Sequence, residues 1–410
     1  MNLILQLTDQ SCWQSFYNNK LQGGHMTQTD LENLASFIQR EGYREPVQKI
    51  MDGVPFSPPR QAAISKHASD KKRIVFIYPY PELTVLKYLT WLLQRHYDHL
   101  FPRNLYSFRP CTGVRQAVND LQRIPELSRM WSYKVDISNY FNSIPVDRLM
   151  DVLRKNLPEE QVLVRFFSAI LSDPWVIENG VRICNPDKGI MAGTPTSTFL
   201  ANLYLKELDL KFQNSGRYYA RYSDDIITFA PTLTELEENI RWIHQALSVA
   251  GLSINARKEC RTAPDDPWVF LGFQFHDGKI DVAPASVEKI KAKMRRKTRA
   301  LLRWKSRKNA TGEQAATAFI RVFNRKMFEN PIEHDLTWAR WYFPMINTTD
   351  SLQTIDHYMQ QCIRTLVTGK HTKSAYNCRY EDMKRLGYIT LVNRFYSHNP
   401  DISEETVDNS

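Results

Sequence analysis

The sequence lacks the features that would place it in a membrane or outside the cell. No apolar run approaches the length needed to span a bilayer, and the apolar start at residues 1–7 is too short and lacks the basic segment of a secretion signal. The six cysteines are scattered without a two-residue paired spacing, so neither a disulfide framework nor a zinc site is expected. We therefore expect a cytoplasmic protein with reduced thiols and no membrane association.

Acidic residues are nearly absent from one long segment. The chain has 410 residues and a net charge of +10, and residues 288–308 hold eleven lysines or arginines and a single acid. Apolar residues recur there at helical spacing, which predicts an amphipathic helix. They are Val287, Ile290, Met294, Leu301 and Trp304. A polyanion requires charge of one sign, so this helix favours a nucleic-acid partner, with an ordinary solvated face as the alternative.

Composition and periodicity indicate an ordered α+β protein. A hydrophobic content of 42% with 12% aromatics can support two or three domains. Helices are predicted over 31–50, 82–95, 112–122, 146–156, 160–171, 196–212 and 235–250, and strands over 74–78, 133–137, 176–183, 218–222, 226–230, 268–275 and 279–282. This order predicts an antiparallel sheet backed by helices, followed by an all-helical region from about residue 285.

Three aspartates provide the main functional signal. Asp224 and Asp225 lie between two apolar runs, a pattern of strand, tight turn and strand that puts them at the tip of a hairpin. Asp136 ends another apolar run at 133–137. Carboxylates buried together need a cation for compensation, so the three predict a nucleotidyl-transfer site with two Mg²⁺ ions. A solvated turn is the alternative for the adjacent pair.

Residues 136–144 read Asp-Ile-Ser-Asn-Tyr-Phe-Asn-Ser-Ile, with Phe141 five positions after the aspartate. This segment resembles the reverse transcriptases, and the bacterial group II intron-like and retron-like enzymes more closely than the retroviral ones. In that family the aspartate binds metal, and the aromatic residue packs under the incoming sugar and excludes a 2′-hydroxyl. The resemblance implies these roles for Asp136 and Phe141. Taken alone, Tyr140 and Phe141 would be interpreted as core aromatics.

Four further motifs keep the order of the same family. Residues 105–110 resemble the fingers motif that contacts template, and 193–197 resemble the loop that supports template and nucleotide. Residues 252–258 resemble the next motif, and 270–273 resemble the primer grip.

The sequence departs from the family pattern at two positions. Ala192 stands where the family usually has Gln, which removes a side-chain amide, although Gly193 still allows the backbone to approach a ligand closely. Ser223 stands where Ala is commoner, and we expect no consequence.

The remaining candidate residues are basic or belong to these motifs. Lys72 and Arg73 precede an apolar strand and would face a triphosphate, unless they form only a solvated loop. Lys258 would protonate the leaving pyrophosphate, and the resemblance implies that the Ile137 carbonyl completes a metal coordination shell. Gly193 is a candidate nucleotide contact. The candidate nucleic-acid contacts are Arg109, Tyr222, Gly272, Lys293, Arg296, Arg299 and Arg303.

Together these features predict a right-hand polymerase with a ferredoxin-like palm. The expected regions are fingers at 1–130, a palm at 131–283 with a fingers-side insertion at about 145–190, a helical thumb at 284–340, a C-terminal helical extension at 341–400 and a disordered tail at 401–410. The expected activity is that of an RNA-directed DNA polymerase, which copies an RNA template into cDNA from dNTPs.

Compact chains of this kind resemble the defence-associated reverse transcriptases, which implies a dedicated non-coding RNA and a role against phage. A retron or mobile-element reverse transcriptase is the alternative enzyme. A non-catalytic RNA-binding scaffold is disfavoured because three carboxylates near a polyanion would bring it no benefit. A palm-fold nucleotide cyclase would leave the primer-grip motif and the basic helix unexplained. The sequence leaves the oligomeric state open.

Overall fold

The computed structural model describes residues 3–24, 26–65, 72–329, 337–369 and 377–399. The chain divides into two compact units, Met1–Asp266 and Pro267–Ser410. The Lys72 side chain and the tail predicted over 401–410 lie outside the described residues. Within the described ranges, no helix has both the length and the apolar sequence that crossing a bilayer requires. The predicted boundaries of fingers, palm and thumb stay predictions.

The first unit mixes helices and strands. Its helices are α1 Leu3–Thr8, α2 Gln10–Gly23, α3 Gln28–Gln39, α4 Arg44–Asp52, α5 Tyr80–His96, α6 Val114–Gln122, α7 Tyr140–Ser143, α8 Val146–Asn156, α9 Gln161–Ser172, α10 Ser197–Tyr204, α11 Lys206–Asn214 and α12 Leu233–Val249. Short 3₁₀ helices cover Asp98–Leu100 and Leu127–Arg129. Its strands are β1 Arg60–Ser65, β2 Lys72–Ile77, β3 Trp131–Asp136, β4 Trp175–Glu178, β5 Val181–Cys184, β6 Tyr219–Tyr222, β7 Asp225–Ala230 and β8 Cys260–Thr262.

One four-stranded sheet carries the predicted aspartates. Its strand order is β6-β7-β3-β8, and every neighbouring pair is antiparallel. Tyr133, Val135, Ile226 and Ile227 are buried in it, and α12 packs against β3 and β7. Because β7 is buried on both faces, its sequence is a continuous apolar run rather than an alternating one. The predicted antiparallel sheet backed by helices is confirmed.

A second four-stranded sheet has the order β2-β1-β4-β5. Strand β1 is antiparallel to β2 and parallel to β4, and the sequence pattern does not predict β1. The single strand predicted over 176–183 is wrong, because β4 and β5 form a hairpin. Asn179 and Gly180 turn the chain with φ of 50° and 83°, the left-handed conformation that an Asn-Gly pair favours.

Two predicted helices are each divided. The helix predicted over 31–50 is α3 and α4, because the chain turns at Glu41 with φ of 51° and passes Gly42. A Cβ added at Gly42 would lie 2.7 Å from the Phe37 ring, so the close approach requires glycine. The helix predicted over 196–212 is α10 and α11, which meet at Leu205. Apolar spacing continues across both breaks and therefore cannot reveal them.

The second unit begins with strands and continues with helices. Its elements are β9 Trp268–Phe270, β10 Phe273–His276, β11 Lys279–Val282, α13 Pro284–Lys308, α14 Gly312–Met327, α15 Trp338–Tyr342, α16 Asp350–Thr368, α17 Tyr380–Arg385 and α18 Leu391–His398. The strand predicted over 268–275 is wrong, because Leu271 and Gly272 turn the chain with φ of 51° and 89°. After β11 every described element is helical, as predicted.

The basic segment forms one helix, α13, as its periodicity predicts. Pro284 begins it, where a missing N–H costs no hydrogen bond. Its seam of Val287, Ile290, Met294 and Leu301 is buried, and α13 packs against α14 and α16. The cationic residues therefore lie on the remainder of its surface.

Candidate active site

The aspartate hairpin is a two-residue turn between β6 and β7. Tyr222 pairs with Asp225 across the two strands, so Ser223 and Asp224 form the turn itself. Ser223 has φ of 60°, and a positive φ at this position of a two-residue turn matches the twist of the strands. The turn places Asp224 at the tip and Asp225 at the first position of β7.

Strand β3 brings Asp136 to the same place. Asp136 is the register partner of Asp225, and the Ile137 N–H donates to the Asp224 carbonyl at 3.0 Å. On the other side, the Asn255 N–H donates to the Asp136 carbonyl at 2.7 Å. Asp136 is only 6% exposed. The three aspartates therefore lie together at one end of neighbouring strands.

Burial makes the Asp224 and Asp225 carboxylates hard to ionise. Burial and the neighbouring Asp136 charge raise the pKa of Asp224, and the Arg73 charge opposes them weakly. Burial also raises the pKa of Asp225, while Lys134 lowers it. Uncompensated negative charge at this sheet end is therefore unfavourable, so the site favours a cation.

Two lysines partly supply that compensation. The Lys258 Nζ lies 2.5 Å from Asp136 Oδ2, and the Lys134 Nζ lies 3.5 Å from Asp225 Oδ1. Lys134 was not among the sequence candidates. Strand alternation could have found it, because residues 134 and 136 of one strand share a face.

The donor set fits a hard divalent cation. Carboxylate and carbonyl oxygens are the ligands that Mg²⁺ prefers, and the raised pKa values of Asp224 and Asp225 show that their charges need a counterion. However, no three His, Cys, Asp or Glu side chains in the described part of the chain are arranged as a metal-holding group. The Asp136 carboxylate is instead paired with Lys258. Metal ligation by Asp136, Ile137, Asp224 and Asp225 stays a prediction.

A buried ion pair lies directly behind the hairpin. Arg221 and Asp209 are both fully buried, with Nε to Oδ1 at 2.7 Å and Nη2 to Oδ2 at 2.5 Å. Arg221 also donates to the carbonyls of Ser223 and Asn202, each at 3.2 Å. Tyr219 donates to Asp209 at 2.9 Å. Burial alone would lower the pKa of Arg221, but the Asp209 charge raises it above its ordinary value, so the guanidinium stays charged.

The segment resembling the fingers motif supports this hairpin from the other side. Leu105 forms a parallel bridge with Arg221. The Ser107 hydroxyl accepts from the Ser223 N–H at 2.8 Å and lies 3.1 Å from the Asn202 side-chain oxygen. The Asn202 amide donates to the Ser107 carbonyl at 2.7 Å. The motif therefore fixes the turn that carries Asp224.

Arg109, the predicted template contact, is bonded within the chain. Its guanidinium pairs with Asp98 through two hydrogen bonds, of 2.8 and 3.1 Å. It also donates to the carbonyls of Pro102 at 2.6 Å and Leu105 at 3.0 Å. These bonds hold the fingers-motif segment in place, and the template contact of Arg109 stays a prediction.

Three aromatic rings lie next to the aspartates. The Phe141 and Phe108 rings are 6.3 Å apart in an edge arrangement, and the Phe108 and Tyr222 rings are 6.4 Å apart. Phe141 and Tyr222 are half-buried, whereas Tyr140 is fully buried. Tyr140 is thus a core aromatic, while Phe141 keeps an accessible face. Phe108 was not among the sequence candidates.

The Gly193 loop packs on β2. Gly193 has φ of 96°, and a Cβ added there would lie 3.1 Å from Val75 Cβ. The Phe76 N–H donates to the Ala192 carbonyl, and the Ala192 N–H donates to Asn142 Oδ1, both at 2.8 Å. The buried Ala192 side chain therefore serves packing, and only its backbone positions the loop. Arg73 is exposed on the same strand.

The second unit holds the remaining candidates. Gly272 occupies the β9–β10 turn with φ of 89°. Arg296, Arg299 and Arg303 are exposed on α13. Lys293 is half-buried, and burial together with the nearby Lys326 charge lowers its pKa.

The antiparallel sheet with its aspartate hairpin is the arrangement of a polymerase palm. A family model described as reverse transcriptase (RNA-dependent DNA polymerase) matches residues 64–275, just over half of the chain. The chain therefore belongs to the reverse transcriptase family and to the RNA-directed DNA polymerase class, which confirms that sequence prediction. The right-hand polymerase fold class is confirmed with it.

Three curated proteins are similar to the chain. The retron Ec86 reverse transcriptase of Escherichia coli is 22% identical over 237 residues, covering 56% of this chain and 67% of that protein. An uncharacterized 91 kDa protein in the cob intron of Schizosaccharomyces pombe is 28% identical over 159 residues, covering 39% and 19%. A putative COX1/OXI3 intron 2 protein of Saccharomyces cerevisiae is 25% identical over 159 residues, covering 39% and 18%. The chain thus spans less than a fifth of the two intron proteins.

Two solved telomerases are also similar. Apo telomerase from Candida tropicalis, truncated from the C-terminal domain, gives a TM-score of 0.43 at 11% identity, covering 60% of each chain. Telomerase from Candida albicans, in complex with a TWJ fragment of telomeric RNA, gives a TM-score of 0.44 at 11% identity, covering 87% of this chain and 71% of that one.

The buried ion pair makes a prediction about stability. Asp209→Ala leaves the Arg221 charge buried without a partner, so we expect the free energy of unfolding to fall by about 3–5 kcal/mol. Urea unfolding followed by circular dichroism measures this change. Asp151→Ala is the matched control, because it breaks an ion pair with Arg154 in which both side chains are exposed. Equal losses in the two variants would contradict the importance of the buried pair.

Proposed function

We propose that this chain synthesises DNA on an RNA template, with Asp136, Asp224, Asp225 and the Ile137 carbonyl holding two Mg²⁺ ions. The observation that carries the proposal is the register of the sheet, which pairs Asp136 with Asp225 and puts Asp224 at the adjoining turn. When bound, two such ions stabilise the attacking and leaving oxygens of an in-line displacement.

The residues around the aspartates have supporting roles in this proposal. Lys258 has a half-exposed side chain on a flexible stem, so its Nζ can leave Asp136 and donate a proton to the leaving pyrophosphate. Arg73 is exposed on β2 and offers two donors to the triphosphate of an incoming dNTP. The Phe141 ring would lie beneath the sugar of that nucleotide.

The template–primer duplex would bind the second unit. The exposed arginines of α13 offer charge of one sign to phosphates, and Gly272 allows a primer backbone to approach the β9–β10 turn. Under this proposal, the chain has three kinds of partner, which are an RNA template, dNTPs and the cDNA product.

The biological role we propose is phage defence with a dedicated non-coding RNA, in the cytoplasm. A retron role is the second candidate, because the chain is similar to a retron reverse transcriptase. Sequencing the nucleic acid that copurifies with the protein separates these roles. A cDNA that is joined to its own structured RNA would favour the retron role. A free cDNA copied from one other RNA would favour the phage-defence role.

The aspartates make the first functional prediction. Asp224→Asn and Asp136→Asn each remove a charged oxygen donor worth several kcal/mol, so we expect primer extension to slow by about 10²–10³-fold with RNA binding retained. Asp151→Asn, an exposed aspartate on α8, is the control. An Asp224→Asn enzyme as active as this control would contradict the metal-holding role of Asp224, whereas a wild-type protein without primer extension would favour the non-catalytic scaffold.

Phe141 makes a second functional prediction. Phe141→Val opens space beside the 2′-carbon, so the ratio of rNTP to dNTP incorporation should rise about tenfold or more. Competing single-nucleotide incorporation measures the ratio. Tyr140→Phe is a control that leaves the neighbouring core ring in place. Unchanged discrimination in an active Phe141→Val enzyme would return Phe141 to a packing role.

The basic helix α13 makes a third functional prediction. Replacing Arg296, Arg299 and Arg303 by Ala should weaken duplex binding and lower the slope of log affinity against log salt by about one unit per lost phosphate contact. Filter binding to an RNA–DNA hybrid over a KCl series measures both. Lys291→Ala is the control, since Lys291 already pairs with Glu288 at 2.8 Å. A wild-type slope in the triple variant would show that this face is only solvated.

A further inference from the structure

A groove in the first unit lies outside the aspartate site. It has a volume of about 860 Å³ and runs between α2, α3 and α5, with Pro195 at one wall. That volume is typical of a site for an organic ligand. The helices α2 and α3 precede the segment that the reverse transcriptase family model matches. Part of the groove is therefore formed by residues that precede the segment matched by the family model.

Aromatic side chains line the groove. Phe16 is buried at its base, Trp91 is half-buried, and Tyr80 is 45% exposed. The Trp91 indole N–H donates to Asn19 Oδ1 at 2.9 Å, which fixes the orientation of the ring. A fixed, partly exposed indole is a suitable surface for stacking a flat ring.

Cations surround these rings without neutralisation. The Lys20 ammonium lies 5.1 Å from the Phe16 ring centre, and the Arg95 guanidinium lies 4.6 Å from the Trp91 ring centre. Among the described residues, no carboxylate forms an ion pair with Lys20, Lys87 or Arg95. The groove's own carboxylate, Asp30, accepts from the Thr27 hydroxyl at 2.7 Å.

The three positive charges also act on one another. Burial, Lys87 and Arg95 all lower the pKa of Lys20. Repelling cations beside exposed aromatic surface match a ligand that carries both anionic groups and flat rings. Single-stranded nucleic acid has this combination, whereas a duplex hides its bases.

We propose that this groove binds single-stranded RNA, with bases against Trp91 and phosphates at Lys20, Lys87 and Arg95. The inference rests on the proposed function, since it makes the strand a part of the RNA template beyond the copied region. The groove reaches the loop at 193–197, which resembles the family's loop for template and nucleotide: Pro195 lines the groove, and the Gln94 amide lies 3.4 Å from the Thr198 hydroxyl. It adds a binding site separate from the duplex site of α13.

The test uses two exposed residues of α5. In Lys87→Ala/Arg95→Ala, alanine suits the helix, so the variant should fold. The probe is a fluorescein-labelled single-stranded RNA of about 12 nucleotides, followed by anisotropy over a KCl series. We expect affinity to fall about tenfold and the salt slope to fall by about 1.4 units, which is two single-strand phosphate contacts.

The matched control loses the same charge from another helix. Arg154→Ala/Lys155→Ala removes two exposed cations of α8 that already pair with Asp151 and Glu207, at 2.8 and 3.4 Å. We expect this control to bind the probe like the wild-type protein. If both double variants lose affinity equally, the effect is one of net charge and the groove is not the site.

Two further measurements separate the remaining outcomes. Lys20→Ala on the facing helix α2 should weaken the same probe, and a wild-type affinity there would overturn the site. A loss seen with single-stranded DNA but not with RNA would overturn the template assignment. Primer extension by the wild-type protein reports on the proposed function separately. An inactive protein whose RNA binding depends on the groove would refute the proposed function alone. An active protein whose RNA binding does not depend on the groove would refute this inference alone.

Discussion

The buried pair between Arg221 and Asp209 is the constraint on which the rest of the candidate site depends. Two charges in the interior are tolerated because they satisfy each other and because Arg221 also bonds the carbonyls of Ser223 and Asn202. One side chain thus joins strand β6, helix α11, helix α10 and the aspartate turn. The strained Ser223, with its positive φ, is held from behind by Arg221 and from the side by Ser107.

The aspartates stand in contrast to that pair. Burial raises the pKa values of Asp224 and Asp225. Compensation of the negative charge is incomplete, since Lys134 lies 3.5 Å from Asp225 and Lys258 is half-exposed. A structural ion pair would be closed and dry, as the one behind it is. The aspartate site instead keeps partly compensated negative charge at the end of the sheet, beside two lysines that are not fully buried.

The sequence predicted what depends on local spacing. The amphipathic seam of α13, the hairpin around Asp224 and the buried run that ends at Asp136 each follow from a period within one segment. Two of the errors have a common cause. The turn at Leu271 and Gly272 and the break at Leu205 interrupt no apolar pattern, so periodicity continues through them. The turn at Asn179 and Gly180 was readable from its residue pair and was missed.

By itself, therefore, the sequence determined the reverse transcriptase family, the identity of the three aspartates and the position of the basic helix, because each resides in a short contiguous pattern. Only the tertiary structure decided what distant residues do together. It paired Arg109 with Asp98, placed Lys134 beside Asp225, and set the aromatic groove between α2, α3 and α5. These contacts join different elements of the chain, and their partners are chosen by packing and charge in three dimensions, which no local period encodes.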